Sequence, residues 1–82
     1  MMNLFLVTLS NGFQEFDYFY LSNDGFIGDD EFRKLVIEKE LGVKFDKDLW
    51  KEYKTNNPDY KMLYDVVSIE KLDNLINKNN KL

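Results

Sequence analysis

The sequence contains no cysteine, no histidine and no alanine, and it has one arginine, Arg33, and one proline, Pro58. Without cysteine, neither a disulfide framework nor a thiolate metal site can form, and small secreted domains usually depend on disulfides. We therefore expect a cytoplasmic protein. The missing cysteine and histidine also remove the usual nucleophile and base pairs, and the few serines occupy turn or cap positions. The sequence thus predicts no catalytic residue and no cofactor.

Large apolar side chains are plentiful, since 44% of the 82 residues are hydrophobic and 16% are aromatic. A chain of this size buries only about 60–65% of its unfolded surface, so aromatic side chains must supply much of the burial. We predict a single α+β domain over residues 1–76 and a frayed tail over residues 77–82. The apolar run at residues 4–9 is too short to cross a bilayer and lacks the basic flank of a signal peptide. It is therefore interpreted as a buried strand.

The apolar pattern predicts an N-terminal β-hairpin, two helices, a third strand in a small antiparallel sheet, and a C-terminal helix. Residues 4–9 and 16–21 are the predicted hairpin strands, with a type I′ turn at Asn11-Gly12. The clearest helix is expected from about residue 30 to residue 41. Asp29 or Asp30 can cap its first turn, and Gly42 supplies a left-handed stop.

The two predicted helices each carry a side chain that we expect to be buried. Leu35 lies on the apolar side of the first helix, and Trp50 is the expected anchor of a shorter helix. Asp46 can cap this second helix, which should end before residue 55. Truncating either apolar side chain is therefore predicted to destabilise the domain.

The pattern over residues 60–69 is ambiguous. Pro58-Asp59 could begin a helix, whereas the β-branched and aromatic residues that follow favour a strand. We predict a strand over residues 62–67. Ser68 could then cap a terminal helix with apolar residues at helical spacing, namely Leu72, Leu75 and Ile76.

The net charge is −4, and its distribution along the chain is uneven. Six acidic residues and no base precede Arg33, whereas nine acidic residues and all eleven bases lie from there onward. A dense acidic surface repels nucleic-acid phosphates and attracts basic protein grooves. We therefore expect a protein partner with a basic surface, and no direct nucleic-acid or membrane binding. Alternatively, these acids only solvate a hairpin and cap a helix. The predicted partner-binding acids are Glu15, Asp17, Asp24, Asp29, Asp30 and Glu31.

The second predicted strand is apolar on both faces. Phe16, Tyr18 and Tyr20 share one face, and the residues between them occupy the other. Burial in the core is the favoured interpretation of these three aromatic residues. If that face were exposed instead, it would add a partner-binding patch of Phe16, Tyr18 and Tyr20.

Residues 24–32 resemble the second half of an EF-hand calcium loop. Asp24, Gly25, Ile27 and Glu31 match the pattern, in which glycine permits a sharp turn and the final glutamate binds the ion. Tyr20, however, stands where the first aspartate ligand belongs, and a strand replaces the entering helix. A calcium-binding or calcium-stabilised domain is therefore an alternative function, without an assigned metal ligand.

Three segments carry a resemblance that spans most of the chain: residues 2–8, the acidic aromatic stretch at residues 15–19, and residues 64–70. They resemble small acidic uncharacterised proteins of phages of Gram-positive bacteria, and the residue usage is typical of an AT-rich genome. That group includes anti-CRISPR proteins and other anti-defence inhibitors. The resemblance implies a module that inhibits a host protein by occupying a basic site, in the host cytoplasm, and it implies no catalytic residue. A phage accessory protein of unknown role is the alternative.

Overall fold

The computed structural model describes residues 2–72, and over this range it is an α+β domain, as predicted. The elements in chain order are β1 (Asn3–Ser10), β2 (Glu15–Ser22), α1 (Asp29–Leu41), α2 (Lys47–Asn56), α3 (Tyr60–Leu63) and β3 (Asp65–Lys71). The predicted C-terminal helix begins inside this range, where Ser68 and residues 69–71 belong to β3 instead, and its part beyond Leu72 lies outside the described residues.

The three strands form an antiparallel sheet in the order β2-β1-β3, so β1 is central. Val7 lies opposite Tyr18 on one side and opposite Ile69 on the other. The pairing of β1 with β3 shifts register between Thr8 and Leu9, which is a β-bulge. The pairing of β1 with β2 is regular along all eight residues of each strand.

One face of the sheet is covered by α1. Alternate residues of β1 point to this face and are buried, together with Phe32 and Val36 of the helix. The buried β1 residues are Phe5, Val7 and Leu9. This cluster is the main core of the domain, because it joins the central strand to the longest helix.

A second apolar cluster joins the other side of α1 to α2 and α3. Its buried members are Ile37, Trp50 and Tyr60, with Phe45 packed against them. Trp50 is therefore buried, as predicted. Leu35 was predicted to be buried with it, but 40% of its surface is exposed. The prediction was wrong because the core side of α1 is centred on Phe32, Val36 and Ile37.

The helix ends confirm two of the predicted caps and correct a third. The Asp46 side chain accepts a hydrogen bond from the Leu49 amide at 2.8 Å, and Gly42 ends α1 with a left-handed φ of 68°. The cap of α1, however, is Gly28, and no side chain caps this end. Asp29 and Asp30 lie inside the first turn, where their charge complements the positive end of the helix.

Three local predictions were wrong. The hairpin turn is not type I′ at Asn11-Gly12, because that turn needs positive φ at both residues and only Gly12, with φ of 92°, has it. The α2 helix continues past residue 55, to Asn56. The region from residue 60 contains a short helix and then a strand, so Ser68 lies within β3 and caps no helix. None of the helices within residues 2–72 is long and apolar enough to cross a membrane.

Candidate protein-interaction surface

The register of the hairpin determines which side of β2 is covered. Tyr20 and Tyr18 lie opposite Phe5 and Val7, so they face the helix-covered side and pack against the main core. The alternate residues of β2 lie opposite Leu4, Leu6, Thr8 and Ser10, on the open face of the sheet. Those residues of β2 are Glu15, Asp17, Phe19 and Leu21.

The most exposed of the phenylalanines lie on this hairpin. Phe19 is 71% exposed and Leu21 is 59% exposed, although both belong to a regular strand. Phe13, in the hairpin loop, is 95% exposed. Contiguous exposed apolar side chains next to charged ones are typical of protein-binding sites. We use the term hairpin surface for Phe13, Glu15, Asp17, Phe19 and Leu21.

The loop that carries Phe13 is held by its own side chains. The Asn11 carboxamide oxygen accepts hydrogen bonds from the amides of Phe13 and Gln14, each at 2.8 Å. The Ser10 hydroxyl accepts a third bond from the Gly12 amide at 3.1 Å. These bonds satisfy the loop backbone locally, in an Asx-type turn. Phe13 is thus presented to solvent from an ordered loop, which lowers the entropy cost of its burial by a partner.

The charge on the open face is acidic. The Asp17 carboxylate accepts a hydrogen bond from the Thr8 hydroxyl at 2.8 Å, which fixes its position on the strand. Glu15 is the next residue on the same face, and both carboxylates are exposed. The three strands contain one base, Lys71, and it lies opposite Phe5 on the other side of the sheet. Two acids of β3, Asp65 and Glu70, lie opposite Ser10 and Leu6 on the same open face. A partner that covers the whole face therefore meets four strand acids and no strand lysine or arginine.

The remaining predicted acids do not join this group. Asp24 lies beyond Ser22, the last residue of β2. At 3.3 Å per residue, Ser22 is about 23 Å along the strand from Glu15. Asp30 is used internally: it accepts a hydrogen bond from the Tyr60 hydroxyl at 2.9 Å and lies 3.7 Å from the Lys54 ammonium. Asp29 and Glu31 belong to the first turn of α1. The structure therefore divides the six acids and brings together only Glu15 and Asp17 on the open face.

The aromatic side chains that were considered as a second patch face inward. Tyr18 and Tyr20 pack against the main core, while Phe16 stays exposed at the end of the same side. The Tyr18 hydroxyl donates to one oxygen of the Glu40 carboxylate at 3.2 Å, and the Tyr64 hydroxyl donates to the other oxygen. Glu40 thus links β2 to the segment between α3 and β3.

Three tyrosines ionise less readily in the folded protein than in a free chain. Burial raises the pKa of Tyr18 above 10.0, and the negative charge of Glu40 and the hydrogen bond to it raise this pKa further. Burial is also the first cause of the raised pKa of Tyr64, followed by its hydrogen bond to Glu40. Burial and the hydrogen bond to Asp30 raise the pKa of Tyr60, partly offset by Arg33.

These shifts predict a loss of stability in alkali. Because the folded pKa values lie above 10.0, the unfolded chain loses its tyrosine protons first. The stabilisation is complete below about pH 10 and is lost as the pH rises through the folded pKa values. Urea unfolding monitored by circular dichroism from neutral pH to about pH 11 should show this decline. The decline of the free energy of unfolding with rising pH should be shallower for Tyr64→Phe. An equal decline in that variant would contradict a contribution of Tyr64 to the alkaline loss of stability.

The segment that resembles a calcium loop spans a bend and the first turn of α1. Within residues 2–72, no group of three or more acidic side chains is arranged to hold a metal ion. Glu31, the expected bidentate ligand, lies in the first turn of α1, two residues after the helix begins. The Ser22 hydroxyl instead closes the loop, by accepting from the Asp24 amide and donating to the Gly25 carbonyl, each at 3.1 Å.

No protein-family model, no curated protein and no solved structure matches this chain. Function must therefore be inferred from the surface itself.

Sequence reasoning identified both acids of the hairpin surface but missed its three apolar members. Phe19 and Leu21 could not be separated from Tyr18 and Tyr20, because both faces of β2 are apolar. Phe13 did carry a signal, since an aromatic residue directly after Asn11-Gly12 falls in a hairpin loop, where burial is rare.

Proposed function

We propose that this chain is a protein-binding module that covers a basic site of a host protein with its hairpin surface. The observation that carries the proposal is the combination of exposed Phe19 and Leu21 with Glu15 and Asp17 on one open sheet face. Apolar anchors next to acids fit a partner surface that places an apolar patch beside a basic one.

The sequence resemblance to small acidic phage proteins makes the partner class more specific. Nucleases of defence systems expose basic grooves because they bind nucleic acid, and an acidic module can occupy such a groove in place of phosphates. An anti-defence inhibitor of this kind needs no catalytic group. It acts by preventing the partner from binding nucleic acid while the two proteins are bound.

The test begins with paired captures from a host lysate. Wild-type protein and a Phe13→Ser/Leu21→Ser variant are used as baits. The wild-type bait should retain a specific partner, and the variant should not. The matched control is Leu49→Ser on α2, because Leu49 is 48% exposed and Leu21 is 59% exposed. The control should retain the partner. Equal capture by both baits would contradict the assignment of the hairpin surface.

The purified partner then allows the charge to be tested separately. Glu15→Gln/Asp17→Asn should slow association by about tenfold at low salt and flatten its salt dependence, because rim charges act on encounter. Asp24→Asn, at the far end of β2, removes one acid and should have little effect. An unchanged association rate at low salt in the double variant would show that charge does not guide this interaction.

A further inference from the structure

The free edge of β2 adds a second kind of binding capacity to the hairpin surface. Within residues 2–72, β2 pairs only with β1, so its other edge has no partner strand. The strand is eight residues long and regular, and it contains no lysine, no proline and no bulge. Lysine, proline and bulges are among the features that prevent an edge from pairing with another chain. The charges that β2 does carry, Glu15 and Asp17, lie near one end of the strand, so the edge can accept a strand whose charge is complementary to these two acids.

The backbone hydrogen bonds of the sheet show which groups lie along this edge. The Leu72 amide donates to the Leu4 carbonyl at 2.8 Å, so the backbone groups of Leu4 point toward β3. In an antiparallel sheet, the backbone groups of successive residues point to alternate sides of the strand, so the backbone groups of Phe5 and Val7 point toward β2. Their partners Tyr20 and Tyr18 are therefore bonded to β1. The backbone groups that remain for the outer edge belong to Glu15, Asp17, Phe19 and Leu21.

A groove runs beside the same edge, between β2 and α1. It has a volume of about 190 Å³ and is lined on the strand side by three consecutive residues, Tyr18, Phe19 and Tyr20. Consecutive strand residues point to opposite faces, so a groove that touches all three must run along the edge. On the helix side it is lined by Leu35, which is partly exposed, and by Lys39, whose ammonium lies 6.0 Å from the centre of the Tyr18 ring.

We infer that the partner contributes an extended peptide segment that pairs with the outer edge of β2 and places alternate apolar side chains in this groove. This inference rests on the proposed protein-binding function and specifies the structure of the bound segment. In strand addition, main-chain hydrogen bonds provide affinity and pockets for alternate side chains provide specificity. The side chains on the other face of the added strand lie next to Glu15, Asp17 and Phe19. Charge complementarity therefore requires that face to be basic near the hairpin tip.

The probe is a short synthetic peptide of valine, isoleucine and threonine, with lysine at two alternate positions near its C-terminus. When the peptide pairs antiparallel to β2, its C-terminal lysines lie next to Glu15 and Asp17. Binding should slow hydrogen exchange of the Asp17, Phe19 and Leu21 amides by about tenfold or more, and leave the Tyr18 amide unchanged. A peptide with glutamate in place of lysine should bind about tenfold more weakly.

Two methylated peptides test the hydrogen bonds directly. One carries N-methyl groups on the amides at odd positions and the other on the amides at even positions, so composition and side chains are matched. Strand addition predicts that one peptide loses binding about tenfold or more and the other retains it, because only one set faces the edge. Loss in both peptides, or in neither, would overturn the inference.

The protein variants Phe19→Pro and Phe19→Thr form a second matched pair. Both variants remove the aromatic ring, so any loss caused by the ring is common to the two. Only proline removes the outward amide, so Phe19→Pro should bind the peptide about tenfold more weakly than Phe19→Thr once circular dichroism confirms its fold. If the wild type forms a dimer and Phe19→Pro abolishes that dimer, the edge binds a second copy of the chain. That result would overturn the inference. If the peptide does not bind but Phe13→Ser/Leu21→Ser still abolishes capture of the partner, strand addition is wrong and the proposed function stands. If Phe13→Ser/Leu21→Ser also leaves capture unchanged, the proposed function fails.

Discussion

Replacing Trp50 with alanine is expected to lower the free energy of unfolding by about 3–5 kcal/mol, the usual cost of truncating a buried tryptophan. Its ring contacts Phe45, Tyr53 and Tyr60, with centroid distances of 5.4, 5.8 and 5.7 Å. The Lys54 ammonium covers it from outside, 5.3 Å from the ring. Because the surrounding rings belong to two helices and the preceding loop, they cannot close the cavity without moving the backbone.

Urea unfolding followed by far-UV circular dichroism measures this loss, since the variant has no tryptophan fluorescence. The matched control is Leu35→Ala, which removes an apolar side chain from the partly exposed flank of α1. It should cost about 1 kcal/mol or less. Equal losses in the two variants would mean that the second cluster adds no more stability than an exposed contact.

Arg33→Ala is expected to lower the free energy of unfolding by about 2–4 kcal/mol. Arg33 is buried, and its Nε–H donates to the backbone carbonyl of Tyr64 at 2.9 Å. Its outer nitrogens lie 3.9 Å from the carboxylates of Asp30 and Asp65, which are partly exposed. Ion pairs of this length with exposed acids contribute little. Most of the loss should therefore come from the carbonyl left without a donor and from the lost packing.

Two further variants separate these contributions. Arg33→Met keeps an apolar stem and removes the donor, whereas Arg33→Lys keeps the charge but lacks the planar guanidinium. Both should be less stable than the wild type, and the Arg33→Lys deficit should not depend on salt. A methionine variant as stable as the wild type would assign the whole effect to packing of the stem.

The sequence predicted the elements whose signals are local. β1, β2 and α1 lie within two residues of the predicted bounds, because an apolar run, an Asn-Gly loop and a glycine stop each act over a few residues. Asp46 was identified as a cap for the same reason. The region from residue 60 to residue 71 was not assigned correctly. Its β-branched residues fit a strand at more than one position, and its pairing with β1 decides between them.

The candidate site depended on long-range contacts that the sequence does not encode locally. Which face of β2 is exposed follows from its pairing with β1 and from the position of α1. Asp30 was predicted to bind a partner, yet it contacts Tyr60 and Lys54, which are 30 and 24 residues away in the chain. Leu35 has the spacing of a core residue, but α1 packs through Phe32, Val36 and Ile37, which leaves Leu35 at the surface.

The two outer strands of the sheet differ in a way that limits how this protein can assemble. Growth of a fibre requires two compatible edges on every molecule, because each added copy must leave a new edge for the next one. Here β2 is regular, whereas the pairing of β3 with β1 contains a bulge between Thr8 and Leu9. A bulged strand is a poor template for further pairing. Within residues 2–72, β2 is therefore the more suitable edge for an added strand, and the difference between the two edges disfavours repeated edge-to-edge addition of copies.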